Sequence, residues 1–222
     1  MCTPVTIELW GHGRSPTPRD EQMYLPQHYI EQLEHIRREL GITQWFLGGY
    51  SISAGITIRY AIEHPRRVYA HFFTNSSSAF ADAELINDWQ KNAAANHQRI
   101  MQGGQDAIQR IPVHPRYAKR IPAEIAQPLL EDAKRLTAGG VASAMSVTTP
   151  NACVRDIVAN NLQPALLCFG MYEKRFHESK RWISQNMAHV QIASLSAGHA
   201  VNMEDASGFN QVVSEFLLAH QQ

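Results

Sequence analysis

The chain has 222 residues, of which 44% are hydrophobic and 18% charged, and its 20 basic and 20 acidic side chains leave no net charge. Domains average about 150 residues, so this length predicts one domain with an elaboration, and the apolar content excludes a disordered or charged linker. The charge balance offers no electrostatic basis for nucleic acid or an anionic membrane as the main partner.

Histidine and cysteine usage does not indicate a metal or a disulfide scaffold. None of the 11 histidines has the H-E-x-x-H spacing of a zinc site, so we expect no metal and no other cofactor. The three cysteines form no C-x-x-C pair and cannot all be paired, which favours a reduced, cytoplasmic setting. The first ten residues lack the features of a signal peptide, and no run of 18 apolar residues indicates a membrane span.

Strand-like and helix-like stretches alternate towards both ends of the chain, as in an α/β protein. Residues 42–50 are apolar almost throughout, which is typical of a parallel strand buried on both faces. The pattern therefore predicts a mostly parallel sheet. Its predicted strands cover 4–10, 42–50, 68–74, 164–170 and 190–195, and its helices cover 29–40, 52–63, 177–187 and 205–219.

The middle of the chain has a different pattern. From Ser78 to Asp156 it is helical, with helices predicted over 81–101, 123–136 and 140–147, and the polar run 75–78 leads into it. A helical segment inserted between two strands of a parallel sheet is typical of a lid. We therefore predict a core of residues 1–77 and 157–222 and a helical cap of residues 78–156.

A glycine-rich turn between a predicted strand and a predicted helix contains the best candidate nucleophile, Ser51. Such a turn can project a serine hydroxyl above the sheet if small residues stand two positions before and after it, because strand and helix approach closely there. Gly49 and Ser53 meet this size requirement, although a glycine is usual at the second place. The alternative is a packing turn in which the serine is incidental.

A serine hydroxyl needs a base to take its proton and an acid to orient that base. Glu173 follows the predicted strand 164–170, and His199 follows the predicted strand 190–195. Both positions lie at carboxyl ends of strands, where ligand sites of parallel sheets collect. Each residue alone has an ordinary alternative, a solvated charge for Glu173 and a helix-start residue for His199.

Together these blocks resemble the α/β-hydrolase superfamily. The resemblance is closest to its small cofactor-free members, which include enol-lactonases, ring-cleavage-product hydrolases and the menaquinone-pathway synthase. It rests on four blocks in order, namely LWGHGRS at 9–15, GYSIS at 49–53, the run 169–176, and AGHAV at 197–201. The resemblance covers essentially the whole chain.

The resemblance implies a serine hydrolase acting on a small carbonyl substrate, namely an ester, a lactone or an activated C–C bond next to a carbonyl. Ser51 corresponds to the nucleophile, Glu173 to the acid and His199 to the base. The amide of Ile52 would be one donor of the oxyanion hole. The side chains expected to line the substrate pocket are Tyr50 in the turn of Ser51 and Phe80 and Trp89 in the cap. The alternative for Phe80 and Trp89 is simple packing of a helix against the sheet.

Two departures from the family pattern affect this interpretation. The menaquinone-pathway synthase carries an arginine where Gly55 stands, which argues against that specific activity. Family members also have further strands before the G-H-G-x-S block, including the strand between 4–10 and 42–50 and the loop that supplies a second oxyanion donor. A true start upstream of Met1, direct pairing of 4–10 with 42–50, or a partner chain such as a second copy would each repair that gap.

The second departure keeps two other functions open. One is a catalytically impaired relative that acts as a binding or structural protein. The other is lyase or proton-transfer chemistry in the same pocket, with Ser51 as a base or a hydrogen-bonding group.

Overall fold

Four parallel strands form the centre of the computed structural model, which describes residues 2–221. The strands lie side by side in chain order, and each pairs only with its neighbours in that order. They are β1 (Trp45–Gly49), β2 (Val68–Thr74), β3 (Ala165–Gly170) and β4 (Val190–Leu195). The α/β fold with a parallel sheet, as predicted from the alternating pattern, is confirmed.

Helices connect the strands and cover both faces of the sheet. The α-helices are α1 (Pro26–Glu39), α2 (Ile52–Glu63), α3 (Ala83–Ile108), α4 (Ala123–Ala133), α5 (Ala138–Ser143), α6 (Thr149–Asn151), α7 (His177–Asn186), α8 (Val201–Glu204) and α9 (Ala206–Ala219). A π-helical turn over Ala144–Thr148 joins α5 to α6. No helix within residues 2–221 combines the length and the apolar character that crossing a bilayer requires.

The apolar run of β3 explains why this strand lies at the centre of the core. All six of its residues are buried. Alternate side chains point to opposite faces of a strand, so Leu167 enters one core cluster and Leu166 the other. Helix α7 contributes Ile183 to the first cluster, and α9 contributes Phe216 to the second. A strand covered by helices on both faces is apolar at every position, which is the pattern seen in the sequence.

The prediction of a strand over Pro4–Trp10 is wrong, because this segment has no regular structure and pairs with no strand of the described chain. A strand needs a neighbour to take its backbone hydrogen bonds, and this stretch has none beside it. Val5 and Ile7 remain 52% and 40% exposed. Leu9 and Trp10 instead pack against the cluster around α1 and β1.

The helices α3 to α6 lie between β2 and β3, where the sequence predicts an inserted segment. The two ends of this segment are held together, because the amide of Val154 donates to the carbonyl of Ala79 (2.9 Å) and Arg155 Nε donates to the carbonyl of Phe80 (2.9 Å). The helices also share a small apolar cluster of their own, built around Ile100, Ile108 and Val141. The division into core and cap at residues 78 and 156 stays a prediction.

Candidate active site

The turn between β1 and α2 holds Ser51 in a conformation that side chains rarely adopt. Its φ and ψ are 52° and −120°, outside the regions favoured by residues other than glycine. The surrounding contacts hold it there, since the amide of Ser51 donates to Thr74 Oγ1 at the end of β2 (3.1 Å). Strain of this kind concentrates at functional sites.

Small neighbours make this turn possible, as the sequence indicates. A Cβ at Gly49 would overlap Thr57 Oγ1 and lie 2.7 Å from the Cα of Ala54. Ser53, which stands where a glycine is usual, closes the turn with its hydroxyl. That Oγ accepts from the amide of Tyr50 (2.9 Å) and donates to the carbonyl of the same residue (2.8 Å).

The parallel arrangement of β3 and β4 brings the loops after them into contact. A Cβ at Gly170 would overlap the carbonyl oxygen of Gly198, so the two loops touch through backbone. The amide of Tyr172 donates to the carbonyl of Ala197 (2.9 Å) and ties the loops together. This contact places Glu173 and His199 side by side at the carboxyl edge of the sheet. The turn that holds Ser51 lies at the same edge.

The three candidate residues form one hydrogen-bonded chain. His199 Nε2 lies 2.9 Å from Ser51 Oγ, and His199 Nδ1 lies 3.0 Å from Glu173 Oε2. A carboxylate only accepts hydrogen bonds, so the neutral imidazole carries its proton on Nδ1. Nε2 is then free to accept the hydroxyl proton of Ser51. The structure thus brings together the serine, the acid and the histidine that the sequence singles out.

Glu173 is ionised and held from three sides. Burial would raise the pKa of this carboxyl, but hydrogen bonds from His199, Asn75 and Arg175 outweigh that effect and lower the pKa to about 2. Asn75 Nδ2 donates to Oε2 (3.0 Å), and Arg175 Nε donates to Oε1 (2.9 Å). A carboxylate that stays charged can orient the imidazole and stabilise its protonated form.

The amide of Ile52 is placed to stabilise negative charge. Ile52 is the first residue of α2, and within residues 2–221 its N–H donates to no acceptor outside the helix. The N-terminal end of a helix carries a partial positive charge, which favours an anion in front of it. The described contacts therefore leave this predicted oxyanion donor available.

Tyr50 lies beside the histidine, as expected of a residue lining the site. Its ring centroid is 5.7 Å from that of His199. Desolvation and the negative charges of Glu173 and Glu204 raise the pKa of the Tyr50 hydroxyl to about 12, so the group stays a neutral donor.

The other two predicted pocket residues are placed differently. Phe80 is 1% exposed and packs in the core against Phe73 and Phe176, so its position is that of a core aromatic. Trp89 is half-buried on α3, and its contribution to a pocket stays a prediction. The inserted helices also border a groove of about 510 Å³ that is lined by neither residue. Its lining is Glu21, Ala93, Ala94, His97, Gln98, Met101, Ser146 and Val147.

Gly55 has no room for the arginine found in the menaquinone-pathway synthase. A Cβ at this position would overlap the carbonyl oxygen of Ala152. Arg59, one turn further along α2, is engaged elsewhere, since its Nη2 donates to the carbonyl of Cys153 (2.8 Å).

Sequence reasoning missed several residues that support the site. Asn75 belongs to the polar run 75–78, which the sequence predicts as a linker, and the pattern around Thr74 predicts only a strand. Arg175 stands in the sequence two positions from Glu173, which is the one signal that could have linked it to the acid. Nothing local marks Asn75, because its partners lie 95 to 98 residues further along the chain.

Comparison with known proteins agrees with this fold. The family model described as alpha/beta hydrolase fold matches residues 3–132. A Bacillus subtilis (strain 168) protein, named as a candidate 2-succinyl-6-hydroxy-2,4-cyclohexadiene-1-carboxylate synthase, is 24% identical over 229 residues. The alignment covers 96% of this chain and 80% of that protein.

Solved structures show the same fold at low sequence identity. MenH from S. aureus superposes with a TM-score of 0.80 at 17% identity, over 97% of this chain and 83% of that one. A hydrolase from Pseudomonas aeruginosa PA01 superposes with a TM-score of 0.78 at 19% identity, over 95% of this chain and 77% of that one. Because the family model covers more than half of the sequence, this chain belongs to the alpha/beta hydrolase fold family.

Proposed function

We propose that this protein is a serine hydrolase that cleaves a small ester, a lactone or an activated C–C bond next to a carbonyl. The observation that carries the proposal is the hydrogen-bonded chain from Ser51 through His199 to Glu173, with distances of 2.9 and 3.0 Å. The hydrolases among its structural neighbours are consistent with this chemistry.

The geometry suits covalent catalysis in two halves. As Ser51 Oγ attacks the carbonyl carbon, its proton passes to Nε2 of His199, and Glu173 stabilises the imidazolium through Nδ1. His199 then gives the proton to the leaving group, which departs and leaves an acyl-enzyme on Ser51. A water molecule that loses its proton to His199 attacks the acyl carbon, and the acid product is released as Oγ regains its proton.

The oxyanion that forms on the carbonyl would be stabilised by the free amide of Ile52 at the start of α2. One such donor is typically worth about 2.7–4 kcal/mol, or roughly 10²–10³ in rate. Because this donor belongs to the backbone of the turn, it is held by the same contacts that hold Ser51.

The position of Gly55 disfavours the lyase alternative. A site that grips a substrate carboxylate with an arginine there would require the backbone around Ala152 to move. The hydrolase therefore agrees better with the described contacts.

A fluorophosphonate probe tests the proposal directly. We expect the intact, folded protein to be labelled on Ser51, and the Ser51→Ala and His199→Gln variants to lose labelling. An acyl-enzyme burst with an activated ester would exclude simple proton-transfer chemistry. Absence of labelling in the folded protein would overturn the proposal and favour a binding or structural role.

A further inference from the structure

The loop that carries His199 is held by the carboxylate of Glu204. Glu204, the last residue of α8, accepts the amide of Gly198 at Oε2 (2.7 Å) and the amide of Ala200 at Oε1 (3.3 Å). These are the two amides on either side of the histidine. One side chain therefore fixes the backbone both before and after the residue proposed as the base.

This contact matters because, within residues 2–221, no other group accepts the amides of Gly198 and Ala200. The next tie of the loop is further back, where the amide of Ser196 donates to Asp205 Oδ2 (3.3 Å). The loop between β4 and α8 spans only a few residues, and Ala200 and Asp205, which flank α8, both have non-helical backbone angles. Hydrogen bonds from amides to a charged carboxylate are stronger than those between neutral groups. Two of them to one carboxylate fix the direction in which the Cα–Cβ bond of His199 points.

The surroundings contain few charges that could replace Glu204. Arg120 from the inserted segment approaches Gly198, and it lies over the ring of Tyr172 at 5.3 Å. An arginine has no acceptor, so it cannot take the two amides. Glu173 is committed to His199, Asn75 and Arg175.

We propose that Glu204 is a positioning residue for His199, whose carboxylate holds the amides of Gly198 and Ala200 and so aims Nε2 at Ser51. This rests on the proposed serine chemistry. It assigns to Glu204 an effect on the chemical step and none on substrate binding.

The first test is Glu204→Gln, which keeps the size of the side chain. The glutamine amide group would face one of the two N–H groups with its own N–H₂, so only one contact can survive. We expect kcat for a p-nitrophenyl ester to fall by up to about 10²-fold, the loss that a misplacement of about 1 Å can cause. KM should stay close to the wild-type value. Glu215→Gln on α9, an exposed glutamate bonded to Gln211, is the matched control and should leave both constants unchanged.

A second variant reaches the same contact from the loop. A Cβ at Gly198 would lie 3.1 and 3.2 Å from the two carboxylate oxygens of Glu204, so Gly198→Ala should push the carboxylate away. We expect a smaller loss of kcat, and no further loss when it is added to Glu204→Gln. Additive losses, a normal kcat in folded Glu204→Gln, or a rise in KM alone would overturn the proposal. If Glu204→Gln does not fold, a normal kcat in Gly198→Ala overturns it.

A spectroscopic readout separates this proposal from the proposed function. The proton on Nδ1 of His199, shared with Glu173, should give a downfield proton NMR signal that does not depend on turnover. We expect Glu204→Gln to broaden or shift this signal and to increase hydrogen exchange at the amides of 198 and 200. If the wild type shows no Ser51 labelling, the proposed function fails, while an unchanged signal in Glu204→Gln refutes the positioning role.

Discussion

Asn75 and Gly170 exchange two hydrogen bonds across the carboxyl edge of the sheet. Asn75 Nδ2 donates to the carbonyl of Gly170 (3.1 Å), and the amide of Gly170 donates to Asn75 Oδ1 (3.1 Å). The same Nδ2 also donates to Glu173 Oε2 (3.0 Å). The buried amide thus joins the end of β2 to the end of β3 and to the carboxylate that orients His199.

Replacing Asn75 with alanine should therefore affect both stability and the site. The variant leaves the buried amide of Gly170 without its partner, while the carbonyl of Gly170 still accepts the amide of Glu173 (3.2 Å). One buried unsatisfied group costs about 1–3 kcal/mol. We expect a loss of that order in the free energy of unfolding, measured with urea, and slower fluorophosphonate labelling of Ser51. Asn92→Ala is the matched control, because Asn92 is exposed on α3 and bonds only to Asp88. Equal behaviour of the two variants would contradict a supporting role for Asn75.

The hydroxyl of Ser53 should stabilise the turn of Ser51. Its two hydrogen bonds to Tyr50 are lost in Ser53→Ala, while the small size that the turn requires is kept. We expect a stability loss of about 1 kcal/mol and reduced labelling of Ser51, since a typical hydrogen bond contributes about that much. Ser184→Ala on α7 removes an exposed hydroxyl that bonds only to Arg181 and should change neither quantity. Full labelling in Ser53→Ala would show that packing alone holds the turn.

Local sequence patterns are sufficient to predict the central strands and the three residues of the hydrogen-bonded chain. The strand β4 and the helix α2 have the predicted bounds, because their apolar runs and the breaker at His64-Pro65 act locally. The segment Pro4–Trp10 shows where such patterns fail. Its composition suits a strand, but whether it forms one depends on a neighbour that sequence periodicity does not specify.

The supporting residues were not predictable for a related reason. Asn75 and Glu204 act through contacts whose partners are set by the packing of the sheet and by loop conformation. The kink in α3 is similar, since Gly104 adopts a φ of 51° inside a stretch whose apolar pattern continues to Ile108. A glycine permits such a turn without requiring it.

The buried His71 should make stability depend on pH between about 6.5 and 4. Burial lowers its pKa from 6.5 to about 4, against the opposing effect of the hydrogen bond to Asn161 (3.0 Å). As pH falls below 6.5, the unfolded chain binds this proton and the native state does not, so stability is lost, by about 3 kcal/mol by pH 4. We expect His71→Leu to show a flatter profile in this range, because the group that binds the proton only in the unfolded chain is gone. The exposed His35→Gln is the control, and an unchanged slope in His71→Leu would contradict this account.

Glu173 and Glu34 should make stability depend on pH in a second, more acidic range. Burial opposes ionisation of Glu173, but its hydrogen bonds hold the pKa at about 2 against an ordinary value of 4.5, and Arg37 first, with Tyr60, holds the pKa of Glu34 at about 2. A lowered pKa contributes stability that is full above 4.5 and is lost as pH falls towards 2, by about 3 kcal/mol for Glu173.

Two glutamine variants separate these contributions and test the site at the same time. Glu173→Gln and Glu34→Gln should each make the urea midpoint depend less on pH between pH 4.5 and 2, because each removes one titrating group from that window. Only Glu173→Gln should also slow labelling of Ser51 at pH 7. Glu34 bonds to Arg37 and Tyr60 and makes no described hydrogen bond to the loop of His199. Loss of labelling in both variants would mean that the effect arises from general destabilisation and that Glu173 has no specific role in orienting His199.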